Sequence, residues 1–296
     1  MRVLLTGATG QIGRAIAHYL GSHDYTVTGL SRNVCNVPGL SEHIQVDLGT
    51  EAAVDRIRSV VPPCEAIVHA AASMSHDRHD PLISLTNCLG TQQILGLADI
   101  WKSRHLVYLS SVPVIGHPQQ IPITEDHPVQ PLSAYHASKL YGEHLVRLAQ
   151  GNECHAVCLR LTSPSGAGTP ENRILATFVR KAAAQQPLVL LGRGTRRQNY
   201  VDVRDIAEAV GLALHRLASG VYNIAATEST SNYDLAQTCI QELSSNSTVE
   251  FVEKPDPEEG IRWEVSIAKA QQDLGYFPRF TIRDSIRAIA HEHPGP

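Results

Sequence analysis

Over the first 160 residues, short apolar runs alternate with stretches whose apolar residues recur at helical spacing. Arg2–Leu5, Thr26–Leu30, His43–Val46, Ala66–Ala71, His105–Ser110 and Ala156–Leu161 read as strands. Ile12–Leu20, Ala52–Val60, Leu85–Trp101 and Ser133–Ala149 read as helices between them. Strands alternating with helices of this length predict a parallel sheet covered on both faces, with right-handed crossovers. After Arg160 the pattern changes. Ser163–Pro170, rich in Gly, Pro and Ser, reads as a crossing between domains. Beyond it, Arg173–Gln185, Arg204–Leu217, Tyr233–Leu243 and Ile267–Leu274 are expected helices among short strands. The fold class is therefore α/β, with a doubly wound parallel sheet over residues 1–163 and a smaller C-terminal α/β lobe over 164–296. Some late segments are expected to return to the main sheet. The stretch Ser111–Tyr135 carries five prolines (Pro113, Pro118, Pro122, Pro128, Pro131). It is too long for a plain connector, and such loops are usually functional. His291–Pro296 is expected to be a loose tail.

Composition bounds this picture without changing it. The chain has 296 residues, 43% hydrophobic and 18% charged, as an ordinary globular protein does. A formal net charge of −4 without a basic block argues against a nucleic-acid partner. No apolar run reaches the roughly 18 residues of a membrane span. Met1-Arg2 runs directly into a strand, leaving no room for a signal peptide, so a cytoplasmic location is expected. The six cysteines form no CxxC pair and no zinc spacing, and read as reduced structural thiols.

Chemistry enters with Leu4-Leu5-Thr6-Gly7-Ala8-Thr9-Gly10-Gln11-Ile12-Gly13. Three glycines between an apolar strand and an amphipathic helix make a dinucleotide loop of Rossmann type. Gly7 allows the tight turn, Gly10 lets the backbone approach a pyrophosphate, and Gly13 lets the helix pack close to the sheet. Thr9, Gln11 and Ile12 complete the loop and the first turn, whose amides face the phosphates. An NAD-type site usually carries an acidic residue about 20 residues further on. Here Ser31 and Arg32 stand in its place, and a hydroxyl with a guanidinium suits a 2′-phosphate. NADP is thus expected over NAD, unless Arg32 merely stacks on the adenine. Asp47-Leu48, after the third strand, is placed to meet the adenine.

Tyr135 and Lys139 lie four residues apart on one expected helix and share a face. An ammonium there favours the phenolate and should lower the tyrosine pKa toward a usable acid/base. Ser111 closes a buried strand at the edge where such sheets bind ligands, and its hydroxyl can orient the reacting oxygen.

These residues resemble the extended short-chain dehydrogenase/reductase family, also called the NAD(P)-dependent epimerase/dehydratase family. The resemblance spans nearly the whole chain. It takes in His69-Ala70-Ala71-Ala72, Asn87-Cys88-Leu89-Gly90-Thr91, Pro122-Ile123-Thr124-Glu125 and Pro131-Leu132-Ser133-Ala134-Tyr135. It continues through Gly192-Arg193-Gly194, Asn199–Asp205, Gly220-Val221-Tyr222-Asn223 and Leu274-Gly275-Tyr276-Phe277-Pro278. It implies a Rossmann domain with a C-terminal substrate lobe. Ala70, Ala71, Ala72, Asn87, Tyr135 and Lys139 would contact the cofactor, Lys139 at the nicotinamide ribose. It also implies a homodimer through the helices holding Asn87–Trp101 and Ser133–Ala149.

Departures from the family pattern narrow the chemistry. Sugar 4,6-dehydratases of the family carry Asp-Glu where this chain has Val112-Pro113, so dehydration is rejected. The Asn-x-Tyr-Gly of many nucleotide-sugar enzymes is replaced by Ser163-Pro164-Ser165-Gly166, and the sugar-binding Arg by Gln198. Arg196 and Arg197 stand beside Gln198 as substitutes. Ser73 and His76, in the loop after the fourth strand, should border the substrate, as should Ser163 and Arg197. His76-x-x-His79 lacks a third ligand, so no metal is expected. The reading is an NAD(P)-dependent reductase or dehydrogenase acting on a sugar or sugar-like alcohol or ketone, with a nucleotide sugar among the candidate substrates. A nucleotide-sugar epimerase with retained NAD stays open, as does a non-catalytic NADP-binding redox sensor.

Overall fold

The computed structural model describes residues 1–75, 77–149 and 154–292. In the first half the strands are β1 (Arg2–Thr6), β2 (Thr26–Ser31), β3 (Glu42–Gln45), β4 (Ala66–His69), β5 (His105–Ser111) and β6 (His155–Leu161). The helices among them are α1 (Gln11–Gly21), α2 (Ala53–Val60), α3 (Gly90–Trp101) and α4 (Ala134–Ala149). A π-helical stretch, Ile83–Leu89, leads into α3. The second half adds β7 (Ser163–Ser165), α5 (Ile174–Ala183), β8 (Leu188–Leu191), β9 (Arg197–Asp202), α6 (Val203–His215) and β10 (Gly220–Ile224). It ends with β11 (Ser229–Ser231), α7 (Asn232–Glu242), β12 (Val249–Val252), α8 (Ala268–Leu274) and α9 (Ile282–Glu292).

Among the described residues, seven strands form one parallel sheet in the order β10-β6-β5-β4-β1-β2-β3. The chain leaves β1 toward β2 and later returns to its other side with β4, so the strand order reverses between them. That reversal opens a crevice at the carboxyl ends of the strands, where ligands bind in such sheets.

Both faces are packed because the strands are apolar throughout. On one face Ile16 and Leu20 of α1 meet Ile206 and Val210 of α6 across Val3, Leu5 and Val68. On the other, Ile57, Ile94 and Val146 from α2, α3 and α4 cover Leu4, Ile67 and Leu106. A separate core holds the C-terminal lobe, where Leu175, Phe178, Leu235 and Ile286 close on one another. Two smaller sheets, β11-β9-β7 and β12-β8, complete that lobe. No described helix is long and apolar enough to cross a membrane.

One charged group lies inside the sheet layer. Arg160 of β6 gives Nε and Nη2 to the carboxylate of Glu143 on α4 at 2.9 and 2.8 Å. Ser110 Oγ donates to the same carboxylate at 2.5 Å, and Arg160 Nη1 reaches the Glu125 carbonyl at 3.1 Å. Both ionic side chains are only 6% exposed.

Most expected elements form within a residue or two of their predicted ends, and the differences have physical causes. β4 stops at His69, because Ala70–Ala72 pass against the turn at Gly7. A Cβ on Gly7 would stand 2.8 Å from the Ala71 backbone. The helix expected over Leu85–Trp101 starts earlier and winds first as a π-helix. The expected interdomain crossing contains β7, paired in register with β9. No element is expected over α9, whose apolar stripe of Ile282, Ile286, Ile289 and Ala290 is broken up by charges; it takes in His291 and Glu292 of the expected loose tail, whose residues 293–296 lie outside the described residues.

Candidate active site

Thr6 ends β1, and the chain turns at Gly7 with φ +72°, a conformation L side chains rarely adopt. Gly13 permits the closest approach. A Cβ there would stand 2.1 Å from the Gly7 carbonyl oxygen. Gly10 is the N-cap of α1, with no side-chain cap and no acidic residue in the first turn. The leading amides of α1 are left for an anion, and the helix dipole favours one. The cleft above holds about 210 Å³ and is bordered by Gly7, Thr9, Gly10, Ser31, Arg32, Asp47, Leu48 and Ala70–Ala72. The expected residues Gln11, Ile12 and Gly13 stand in the first turn of α1 behind it. Gln11 Nε2 donates to Thr169 Oγ1 at 2.9 Å, tying this turn to the Ser163–Pro170 segment.

Thr86 was not anticipated. It lies on the π-helix at the cleft wall, 8% exposed, and its hydroxyl finds no partner. A buried hydroxyl without a partner points to a ligand that supplies one. With the glycine cradle and the uncapped helix, it makes the cleft fit a dinucleotide. In the sequence Thr86 is one more polar residue in a helical stretch, and nothing there marks it. Thr86→Val keeps the shape and removes the hydroxyl. It should weaken cofactor binding about three- to tenfold, the worth of one hydrogen bond, with no loss of thermal stability. Calorimetric titration beside a melting curve checks this, and an unchanged Kd would remove Thr86 from the site.

Asn87 does something other than face the cofactor. Its Oδ1 accepts from Ser73 N at 2.7 Å, and its Nδ2 donates to the Ser73 carbonyl at 2.9 Å and to Ser138 Oγ at 3.0 Å. Ser138 Oγ in turn donates to the Tyr135 carbonyl at 2.7 Å. The amide is thus spent on holding the Ser73 loop to α4, and Asn87 is 2% exposed. His69 links the same layers. Thr91 Oγ1 donates to the Asn87 carbonyl at 2.6 Å, so it accepts from His69 Nε2 at 3.0 Å. His69 Nδ1 then accepts from Thr6 Oγ1 at 2.7 Å, and Thr6 accepts from Ala71 N at 3.1 Å. This order requires neutral His69. Burial, helped by the nearby Lys139 charge, holds its pKa down at about 3.

Ser111 is the last residue of β5, and Tyr135 and Lys139 lie in the first turns of α4. Lys139 Nζ donates to the Leu109 carbonyl at 2.8 Å and stands 5.9 Å from the centre of the Tyr135 ring. The Tyr135 ring is half-buried, and desolvation pushes its pKa up to about 12, against a lowering pull from Arg173. Burial also brings Lys139 down to about 8. The expected lowering of the phenol by Lys139 is therefore absent in this geometry: desolvation outweighs it, and Arg173 is the cation that opposes desolvation. After Ser111, Val112 and Val114 are fully buried in a short turn packed on Ile123, so apolar contacts fill the place of an acid/base pair.

The remaining expected residues divide. Ser31 Oγ lies 2.7 Å from the Asn33 carbonyl and 2.6 Å from His43 Nε2, so it is engaged rather than free. Arg32 is exposed at the cleft rim. Asp47 Oδ1 accepts from Gly49 N at 2.9 Å. Arg197 gives Nε to Ser229 Oγ at 3.1 Å, bonds the Ser229 carbonyl and faces Asp234 at 3.8 Å, so it fastens β11 to β9. Arg196 pairs with Glu258, and Gln198 stands against its guanidinium. Neither arginine is a free substitute for the family's sugar-binding Arg. Ser163 opens β7 opposite Tyr200. His76 lies outside the described residues. No group of three His, Cys, Asp or Glu able to hold a metal occurs among the described residues.

Comparison with known proteins agrees with this geometry. A putative UDP-glucose 4-epimerase of Methanocaldococcus jannaschii is 26% identical over 303 residues, covering 98% of this chain and 97% of that protein. A dTDP-6-deoxy-L-talose 4-dehydrogenase (NAD(P)(+)) of Kitasatospora kifunensis is 27% identical over 306 residues, covering 97% and 94%. The solved Thermus thermophilus UDP-glucose 4-epimerase, in complex with NAD, superposes with a TM-score of 0.86 at 26% identity over 100% of both chains. The profile of the NAD dependent epimerase/dehydratase family matches residues 3–225, and the chain belongs to that family.

Proposed function

We propose that this protein is a cytoplasmic NAD(P)-dependent oxidoreductase acting on a sugar or sugar-like substrate. The reading rests on one observation: Lys139, 5.9 Å from the Tyr135 ring on α4, bonds the Leu109 carbonyl two residues before Ser111 ends β5. Residues 1–163 would hold the dinucleotide and 164–296 the substrate. Bound nicotinamide supplies the hydride acceptor or donor. Tyr135 exchanges a proton with the substrate oxygen, Ser111 orients that oxygen, and Lys139 holds the nicotinamide ribose. A phenol held near 12 stays protonated at neutral pH. That is the form needed to give a proton to a carbonyl.

A second reading is an epimerase with retained NAD acting on a nucleotide sugar. The whole-length likeness to the Thermus epimerase with NAD supports it. The paired state of Arg196 and Arg197 weighs against a diphosphate-linked substrate. Dehydration is set aside because the turn after Ser111 is apolar. Exposed apolar residues on α3 and α4, Ile100 at 51% and Leu148 at 78%, support a homodimer through these helices.

Arg32 separates the two readings, since it suits NADP. Arg32→Ala should weaken NADP binding about tenfold or more, the range of a charge-assisted hydrogen bond, and leave NAD binding unchanged. Side-by-side titration of both cofactors checks this. Copurifying NAD, with Arg32→Ala silent, would favour the epimerase.

A further inference from the structure

The sequence pointed to Ser31 and Arg32 but not to the histidine behind them. His43, half-buried on β3, reaches Ser31 Oγ with Nε2 at 2.6 Å and the Cys35 carbonyl with Nδ1 at 2.9 Å. Ser31 Oγ also lies 2.7 Å from the Asn33 carbonyl. The two carbonyls can only accept, and Ser31 has a single hydrogen to give. A neutral imidazole with hydrogen on Nδ1 takes the Ser31 hydrogen and leaves the Asn33 carbonyl without it. A neutral imidazole with hydrogen on Nε2 loses the Cys35 carbonyl. Only the imidazolium satisfies all three contacts, donating to Ser31 and Cys35 while Ser31 donates to Asn33.

These contacts span residues 31–35, the segment that carries Arg32 at the cleft rim. The Arg32 carbonyl is fixed from the other side by Gln45 Nε2 at 2.9 Å. The surrounding charges are mostly positive. Arg14 of α1 reaches the Cys35 sulfur at 3.2 Å and the Asn36 carbonyl at 3.5 Å. Arg32 and the Cys35 thiol belong to the loop itself, and the neighbouring charge on β3 is Glu42.

We propose that His43 is a positioning residue for the adenosine 2′-phosphate, and that its protonation strengthens NADP binding relative to NAD. The proton completes the clamp on the Arg32 loop and adds positive charge behind Ser31. Loss of the proton turns the Ser31 hydrogen toward Nε2, frees the Asn33 carbonyl and removes that charge. The inference rests on the reading of Arg32 as the group that meets a 2′-phosphate.

The test is the ratio of NAD to NADP dissociation constants between about pH 5 and 8, where imidazoles change charge. Wild type, His43→Gln and Arg32→Ala are compared. The phosphate of free NADP titrates in the same range and is common to all three proteins, so the difference between profiles reports the change made at the site. Wild-type preference for NADP should fall roughly fivefold more steeply with rising pH than that of His43→Gln, the worth of one partly screened charge. NAD binding by His43→Gln should stay at the wild-type level, which shows the fold intact. Parallel profiles for wild type and His43→Gln, with Arg32→Ala losing NADP, would overturn the role of His43 alone. No NADP preference in any of the three would overturn the phosphate site itself.

Discussion

Tyr135→Phe should lower turnover about a thousandfold, within the range for losing a general acid, while both cofactors still bind. The change removes one oxygen and keeps the ring. That ring is held edge-on to His136, with centroids 5.2 Å apart, and the backbone of Tyr135 is held by Ser138. The cleft walls at Gly7, Ala71 and Thr86 belong to other elements and stay in place. Reduction of a sugar ketone, followed by nicotinamide absorbance, checks the rate, and calorimetric titration checks binding. Turnover surviving within a factor of a few would move the proton transfer to another group and sink the assignment.

Glu143→Ala should cost about 3–5 kcal/mol of stability, the usual loss when one partner of a buried ion pair is removed. Arg160 would keep its charge in the layer between β6 and α4, with only the Glu125 carbonyl left to it. Ser110 would lose its acceptor at the same time. The effect should reach the chemistry as well, because Glu143 lies one turn beyond Lys139 on α4. Glu143→Gln, which keeps an acceptor for Ser110, should lose less. Urea unfolding of the three proteins decides. A loss under about 1 kcal/mol for the alanine variant would mean that water reaches Arg160 and replaces the carboxylate.

The cofactor half was largely legible because its determinants are local. The glycine spacing fixes a turn, an apolar run fixes a strand, and Tyr135 and Lys139 share a helix whatever surrounds them. What stayed hidden depends on contacts between distant segments. Thr86 is marked only by a hydroxyl left alone once β4 and the π-helix are in place. The resemblance implies Asn87 on the cofactor, yet its amide is consumed by Ser73 and Ser138, 14 and 51 residues away in sequence. The position of Arg197 beside Gln198 suggests a substrate role, but pairing with β11 claims its guanidinium. The Tyr135 pKa went the other way for a similar reason: desolvation is set by the whole enclosure, and helical spacing reports only on Lys139.

The packing of α6 against α1, with β10 as the outermost strand beside β6, bears on how such a protein can change over time. Residues 203–224 come late in the chain yet support the sheet that carries the dinucleotide loop. A substitution there disturbs both tasks at once. The segments around Leu188–Leu191 and Val249–Val252 form a separate two-stranded sheet that has no strand in the main one. Variation can accumulate in them with little penalty to the cradle at Gly7. New substrate preferences are therefore open to the chain at its periphery, while its hydride chemistry is inherited nearly fixed.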